Sequence, residues 1–137
     1  MKNDVLIIED LDSDFEMVER GFRRVEKAPA RLVRLRGVRE ACRFIDDVDA
    51  ESVPGLVILD LVLEDGSGCE LLETIKSRPA WEKVPVIVWS AYTEPGVRDE
   101  CLRVGAHDFI PKAADSRVTR QNIADIASEW EAKLLSF

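Results

Sequence analysis

Five residues of this chain have types that could do chemistry together: the adjacent acids Glu9 and Asp10, the acid Asp60, the hydroxyl of Ser90 and the amine of Lys112. Each stands at or just beyond the end of a short apolar run. Glu9-Asp10 closes Val5-Leu6-Ile7-Ile8, Asp60 closes Leu56-Val57-Ile58-Leu59, Ser90 closes Val86-Ile87-Val88-Trp89, and Lys112 follows the weaker run Phe109-Ile110. Three carboxylates held close together raise one another's pKa. A hard divalent cation relieves that conflict, and Mg²⁺ takes one or two carboxylates together with waters and phosphate oxygens. With an ammonium and a hydroxyl beside the acids, the set suits the stabilisation of a transferring phosphoryl group by position and charge. Asp60 would be the nucleophile, because a carboxylate can form an aspartyl-phosphate. Taken singly, these residues say less. An Asp after a strand is equally a turn former or a helix N-cap. Glu9-Asp10 could start a helix, Ser90 could cap one, and Lys112 could be merely exposed. The weight lies in several strand ends carrying complementary chemistries.

The elements that must position them can be read from the pattern between these sites. The strong apolar runs are continuous and β-branched, as in strands buried on both faces of a parallel sheet. Leu32 to Leu35 makes another, weaker run. Between the runs, apolar residues recur at helical spacing: Phe15, Val18, Phe22 and Val25; Val38, Ala41, Cys42, Ile45 and Val48; Leu71, Leu72 and Ile75; Val97, Cys101 and Val104; and Ile123, Ile126, Trp130 and Leu134. The order is strand–helix five times over. This predicts an α/β fold with a doubly wound, five-stranded parallel sheet and helices on both faces. The expected strand order is 2-1-3-4-5, flavodoxin-like. In that order the winding reverses between strands one and three, so Glu9, Asp10 and Asp60 become neighbours at the carboxyl edge, where such folds bind ligands.

Composition narrows the class. The 137 residues fit one domain, 1–137, with one core. The net charge of −8 argues against binding nucleic acid or an anionic membrane surface. That charge is segregated. Asp4 to Glu19 is mostly acidic, whereas Arg20, Arg23, Arg24, Lys27, Arg31, Arg34, Arg36, Arg39 and Arg43 face only Glu26 and Glu40. The basic stretch reads as a solvated face or as a docking patch for an acidic partner. Cys42, Cys69 and Cys101 are odd in number and widely spaced, with one histidine in the chain. They form no zinc pattern and read as small core residues in a reducing, cytoplasmic compartment. The start, Met1-Lys2-Asn3-Asp4, is not that of a signal peptide, and no stretch approaches the ~18 apolar residues of a membrane span.

At the residues described, the sequence resembles the response-regulator receiver family, over nearly its whole length. Val5 to Asp10 is similar to the family's first strand and acidic pair, and Leu56 to Leu61 to its phosphoacceptor strand. Gly68 stands where the third helix commonly opens on glycine. Ser90-Ala91 is similar to the hydroxyl-plus-small pair after strand four, and Gly105 to Lys112 to the Gly-Ala, aromatic and lysine stretch. The resemblance implies that Asp10 and Asp60 bind Mg²⁺ directly, with Glu9 acting through water and the Val62 carbonyl completing the protein's share. It implies that Lys112 pairs with the phosphoryl oxygens, that Ser90 moves toward them, and that Phe109 is the switch aromatic, against the plainer expectation of a core phenylalanine. The implied donor is a phosphohistidine on a histidine kinase or a histidine phosphotransfer protein. The face of helix four, strand five and helix five would report to a downstream protein, with no direct contact to nucleic acid or membrane. Such a protein is not an enzyme toward other substrates, although it catalyses its own phosphorylation and dephosphorylation. With no further domain after residue 137, it would be a stand-alone relay or an excised receiver.

Three positions depart from the family pattern. Ala113 replaces a proline that often follows a cis bond, and cis before alanine would cost roughly 2.5–4 kcal/mol. Glu64 replaces another frequent proline, and Phe109 a frequent tyrosine. The apolar Val62 offers nothing to orient an attacking water, so a long-lived phosphoryl state is expected. Among rivals, an aspartate-nucleophile phosphohydrolase needs a second acid where Val62 stands. An FMN carrier needs a phosphate-cradling loop where Glu9-Asp10-Leu11-Asp12 would repel phosphate. A degenerate receiver acting only as an interaction module would need the Lys112 loop turned away.

Overall fold

The computed structural model describes residues 3–26, 29 and 31–135, with the backbone alone for 134 and 135. The start at Met1-Lys2, the basic Lys27 and the Leu134 side chain therefore lie outside the described residues. Five strands, β1 (Val5–Ile8), β2 (Leu32–Leu35), β3 (Leu56–Leu59), β4 (Val86–Ser90) and β5 (Asp108–Pro111), pair in parallel in the order β2-β1-β3-β4-β5. Five helices connect or follow them: α1 (Asp12–Arg23), α2 (Val38–Asp47), α3 (Gly68–Ser77), α4 (Val97–Val104) and α5 (Ser116–Leu135). The doubly wound sheet and the 2-1-3-4-5 order expected from the sequence are both present.

The continuous apolar runs have a direct cause. Alternate residues of each strand face opposite cores. Val5, Ile7, Leu56, Ile58, Ile87 and Trp89 pack with Val18 and Phe22 of α1 and with Ile123, Ile126, Ala127 and Trp130 of α5. Leu6, Ile8, Val57, Leu59, Val86 and Val88 pack on the other side with Ala41 and Ile45 of α2, Leu71, Leu72 and Ile75 of α3, and Cys101 of α4. Burying each large aliphatic side chain contributes roughly 1.5–3 kcal/mol. A polar residue in the middle of any of these runs would face one core or the other. The polar residues are accordingly displaced to the strand ends. Among the described residues no helix is long and apolar enough to cross a membrane.

The segregated charge resolves into cross-pairing. Arg31 bonds Asp4 at 2.9 Å, and Arg34 and Arg36 converge on the Asp12 carboxylate at 2.7 and 3.0 Å. Arg34 also lies 4.8 Å from the Phe15 ring centre. The acidic stretch thus neutralises part of the basic one, and β2 is tied to the start of α1. The cysteines are free thiols, Cys101 buried and Cys42 and Cys69 half-buried.

Two features escape the periodicity. A two-residue hairpin, Val62–Leu63 against Gly66–Ser67, interrupts the path from β3 to α3. Asp65 in its turn accepts hydrogen bonds from the Val38 and Arg39 N–H groups, at 2.7 and 3.0 Å, and so caps α2 from a distance. Those two N–H groups hold its carboxyl below the usual carboxylate range. Short 3₁₀ turns at Ala50–Ser52 and Pro79–Trp81 complete the connections.

Candidate functional site

Register brings the strand ends together. Ile8 pairs with Leu59, and Leu59 with Val88, so Glu9 and Asp60, the next residues of β1 and β3, stand side by side at the carboxyl edge, and Ser90 ends β4 two residues beyond Val88. Backbone bonds fix them there: the Asp60 N–H donates to the Ile8 carbonyl at 3.1 Å, the Glu9 N–H to Leu35 at 3.0 Å and the Lys112 N–H to Ser90 at 2.9 Å. Carboxylate oxygens of Glu9, Asp10 and Asp60 all lie within 4.8 Å of one another. Glu9 and Asp60 are buried and Asp10 is half-buried. Oxygen donors in that spacing fit a small hard cation after slight closure of the side chains.

Lys112 reaches into the same place. Its ammonium donates to Glu9 Oε1 at 2.8 Å, to Asp14 Oδ2 at 2.7 Å and to Asp60 Oδ2 at 3.0 Å. It also lies 4.8 Å from the centre of the Trp89 ring. Burial alone would push the lysine toward neutrality. The three carboxylates outweigh it and hold the pKa above the ordinary lysine value. Glu9 shows the opposite balance. Burial pushes its carboxyl up to about 7, and the Asp60 charge adds to the rise, although Lys112 and the Leu11 N–H both oppose it.

Asp60 Oδ1 accepts from the Val62 N–H at 3.2 Å, which leaves Oδ2 facing the ammonium. The Val62 side chain is exposed at 57%. Ser90 is fully buried, and its Oγ accepts from the Tyr92 N–H at 3.2 Å. Phe109 is 3% exposed and packs in the core beside α4, while its carbonyl accepts from Arg98 at 3.0 Å. The described residues contain no cis peptide bond, so the Lys112–Ala113 bond is trans.

Gly68 has a steric role at this site. Its N–H donates to the Leu61 carbonyl at 2.9 Å. A Cβ there would stand 2.2 Å from the Asp60 carbonyl oxygen and 2.6 Å from the Leu61 Cα. Alanine gains about 1 kcal/mol of helix propensity over glycine, but overpacking typically costs about 1–3 kcal/mol. Here the neighbours are backbone atoms that cannot rotate away, so the clash should win. Gly68→Ala is expected to lower stability by about 1–2 kcal/mol in a denaturant titration and to shift the Asp60 and Leu61 amide resonances. A variant as stable as the parent, with those resonances unmoved, would contradict the close approach.

Of the residues expected at this edge, the structure brings Glu9, Asp10, Asp60 and Lys112 into one cluster, while Ser90 bonds the Tyr92 N–H. Asp14 and Trp89 join the cluster with no signal in the sequence. Asp14 reads as an ordinary acid in the first turn of a helix, and Trp89 as a core residue of β4. A surface groove flanked by Val53, Pro85, His107 and Trp130 opens elsewhere and contains none of the clustered groups.

Comparison with known proteins gives this geometry its relatives. The family model for the response regulator receiver domain matches residues 5–124. The KDP operon transcriptional regulatory protein KdpE of Escherichia coli (strain K12) is 42% identical over 59 residues, 43% of this chain and 25% of that protein. The phosphate regulon transcriptional regulatory protein PhoB of Rhizobium meliloti (strain 1021) is 39% identical over 62 residues, 45% of this chain and 27% of that protein. The matched stretch is thus about a quarter of the length of these curated relatives. In fold, the chain is similar to the phosphorylated cyanobacterial phytochrome response regulator RcpA, with a TM-score of 0.86, 24% identity and coverage of 97% of this chain and 96% of that one. It is similar also to the Mn(2+)-bound response regulator Rcp1, with a TM-score of 0.85, 23% identity and coverage of 93% and 94%.

Proposed function

The chain belongs to the response regulator receiver domain family of two-component signalling, and from that premise we propose that it accepts a phosphoryl group on Asp60 from a phosphohistidine donor. The observation that carries the reading is the Lys112 ammonium, 3.0 Å from Asp60 Oδ2 at the meeting of the strand ends. That inward lysine favours a working phosphoacceptor over a receiver used only for contact. In the transfer, an Asp60 carboxylate oxygen forms the new bond to phosphorus. The phosphorus–nitrogen bond of the donor breaks, and its electron pair stays on the histidine ring.

The chain's own residues supply position and charge. Glu9, Asp10, Asp60 and the Val62 carbonyl would hold Mg²⁺, with Glu9 reaching it through water. Bound there, Mg²⁺ neutralises charge on the transferring oxygens. Lys112 gives up its bond to Asp60 and takes a phosphoryl oxygen. The Ser90 hydroxyl, whose Oγ accepts from the Tyr92 N–H at rest, donates its O–H to another phosphoryl oxygen. Phosphorylation adds charge near −2. Each new charge-assisted hydrogen bond is worth roughly 1.5–3 kcal/mol. Moving a two-state equilibrium from 1:99 to 99:1 takes about 5.5 kcal/mol, which corresponds to about two to four such bonds. The output surface is the α4–β5–α5 face, where Phe109 is the switch aromatic, and the target is a downstream protein. The upstream partner is a histidine kinase or a histidine phosphotransfer protein, and the chain meets it in the cytoplasm. The protein turns over no other substrate.

Acetyl phosphate with Mg²⁺ is expected to add one phosphoryl group per chain and to shift amide resonances across residues 90 to 125. The label should persist for minutes, because the apolar, exposed Val62 orients no water. Absence of labelling, loss within seconds, or resonances that stay fixed in that range would each remove the corresponding part of the reading.

A further inference from the structure

Lys112 has three ammonium N–H donors, and its resting hydrogen bonds occupy all of them, on Glu9, Asp14 and Asp60. Two of these acceptors also belong to the group of carboxylates spaced to hold a cation. Asp14 does not. We propose that Asp14 is a positioning residue that retains Lys112 while Glu9 and Asp60 turn to the cation, a role that rests on the phosphoacceptor reading above.

The physical need is plain. A divalent cation between Glu9, Asp10 and Asp60 would share a small buried space with the ammonium, and like charges at such range repel. The ammonium has to withdraw from Glu9 and Asp60 without leaving the site. Asp14 gives it a place to go. It stands in the first turn of α1, just beyond the acidic end of β1, with its side chain 19% exposed and its Oδ2 2.7 Å from the ammonium. The Trp89 ring face, 4.8 Å from Nζ, forms the other wall of this seat and favours a cation over it. With Asp14 neutral, the remaining charged acceptors of the lysine are the carboxylates that the cation requires. Binding would then have to strip the lysine from both.

The test is a titration of the purified chain with MgCl₂, followed by tryptophan emission. Trp89 should report because the ammonium lies over its ring, and Trp89→Phe defines the background from Trp81 and Trp130. Asp14→Asn is expected to raise the Mg²⁺ Kd roughly tenfold, about the worth of one charge-assisted hydrogen bond. Asp14→Glu, which keeps the charge within reach, should recover most of that loss. Glu16→Gln removes a charge from the exposed side of the same helix and should change Kd by less than about twofold, as for an exposed charge screened by solvent. Equal effects of Asp14→Asn and Glu16→Gln would reduce the result to general charge and overturn the proposal. So would an unchanged Kd in Asp14→Asn, or no recovery in Asp14→Glu. A wild-type chain that binds no Mg²⁺ would overturn the phosphoacceptor reading as well, whereas normal wild-type binding with an indifferent Asp14→Asn would overturn this inference alone.

Discussion

Asp60→Asn is expected to abolish phosphoryl incorporation from acetyl phosphate while leaving the fold intact. The carboxamide that replaces the carboxylate is a poor nucleophile and forms no stable acyl phosphate, so the effect is all or none rather than graded. The fold should survive for local reasons. An asparagine Oδ1 can still accept from the Val62 N–H, now 3.2 Å from the Asp60 oxygen. Removing one charge also relieves the carboxylate repulsion that contributes to the raised pKa of Glu9. The unfolding midpoint should therefore hold or rise, and Glu9 should titrate lower than in the parent. Intact-mass measurement after incubation with acetyl phosphate and Mg²⁺ decides the matter. Stoichiometric labelling of the variant would place the phosphoryl group elsewhere, with Glu9 and Asp10 the remaining carboxylates of the cluster.

The fold was legible because burial on both sheet faces leaves a plain trace. Val5-Leu6-Ile7-Ile8 and Leu56-Val57-Ile58-Leu59 have no polar residue to spare, and the structure gives alternate members to two separate cores. The acids and the lysine were legible for a related reason: a charged group after such a run can emerge only at the strand end. What stayed hidden depends on contacts between distant segments. Asp14 meets Lys112 across 98 positions, and the local sequence offers a sufficient alternative, since acids favour helix starts anyway. Asp65 looks like a turn residue, yet it caps α2 across 27 positions. Gly37 is part of the same arrangement, because a Cβ there would come within 2.5 Å of the Asp65 carboxylate. The basic stretch reads in the sequence as a solvated face or a docking patch, whereas β2 folds beside β1 and pairs Arg31 with Asp4 and Arg34 with Asp12. In each case the sequence holds the partners but not the closure that joins them.

Lys112→Met is expected to have the largest effect on stability and to reverse it with metal. The lysine side chain is 12% exposed, with Glu9 at 2% and Asp60 at 5% beside it. Methionine fills a similar volume and can still pack against Trp89, but it leaves the carboxylates without their cation. Removing one partner of a buried ion pair typically costs about 3–5 kcal/mol. Proton uptake moderates that cost. Glu9 already sits at about 7 against an ordinary value of 4.5, and without the ammonium it should rise further. Its folded-state pKa lies above its unfolded-state value in both proteins, so stability falls as pH rises from roughly 4.5 toward the folded pKa; in the parent that fall is complete near 7, whereas in the variant it continues above 7, and the difference between the two proteins opens there. The variant should thus lie closer to the parent at pH 5.5 than at pH 8. Mg²⁺ should restore much of the difference at pH 8, since a cation between Glu9, Asp10 and Asp60 replaces the missing charge and stabilises by mass action. Phosphorylation should meanwhile slow by about 10²-fold, the usual cost of losing one group that stabilises developing charge. Any label that forms should leave the resonances of residues 90 to 125 nearly unmoved. Chemical denaturation of both proteins at pH 5.5 and 8, with and without Mg²⁺, reads the whole set. Equal stabilities at pH 8 in the absence of metal would show that Lys112 does not neutralise this cluster.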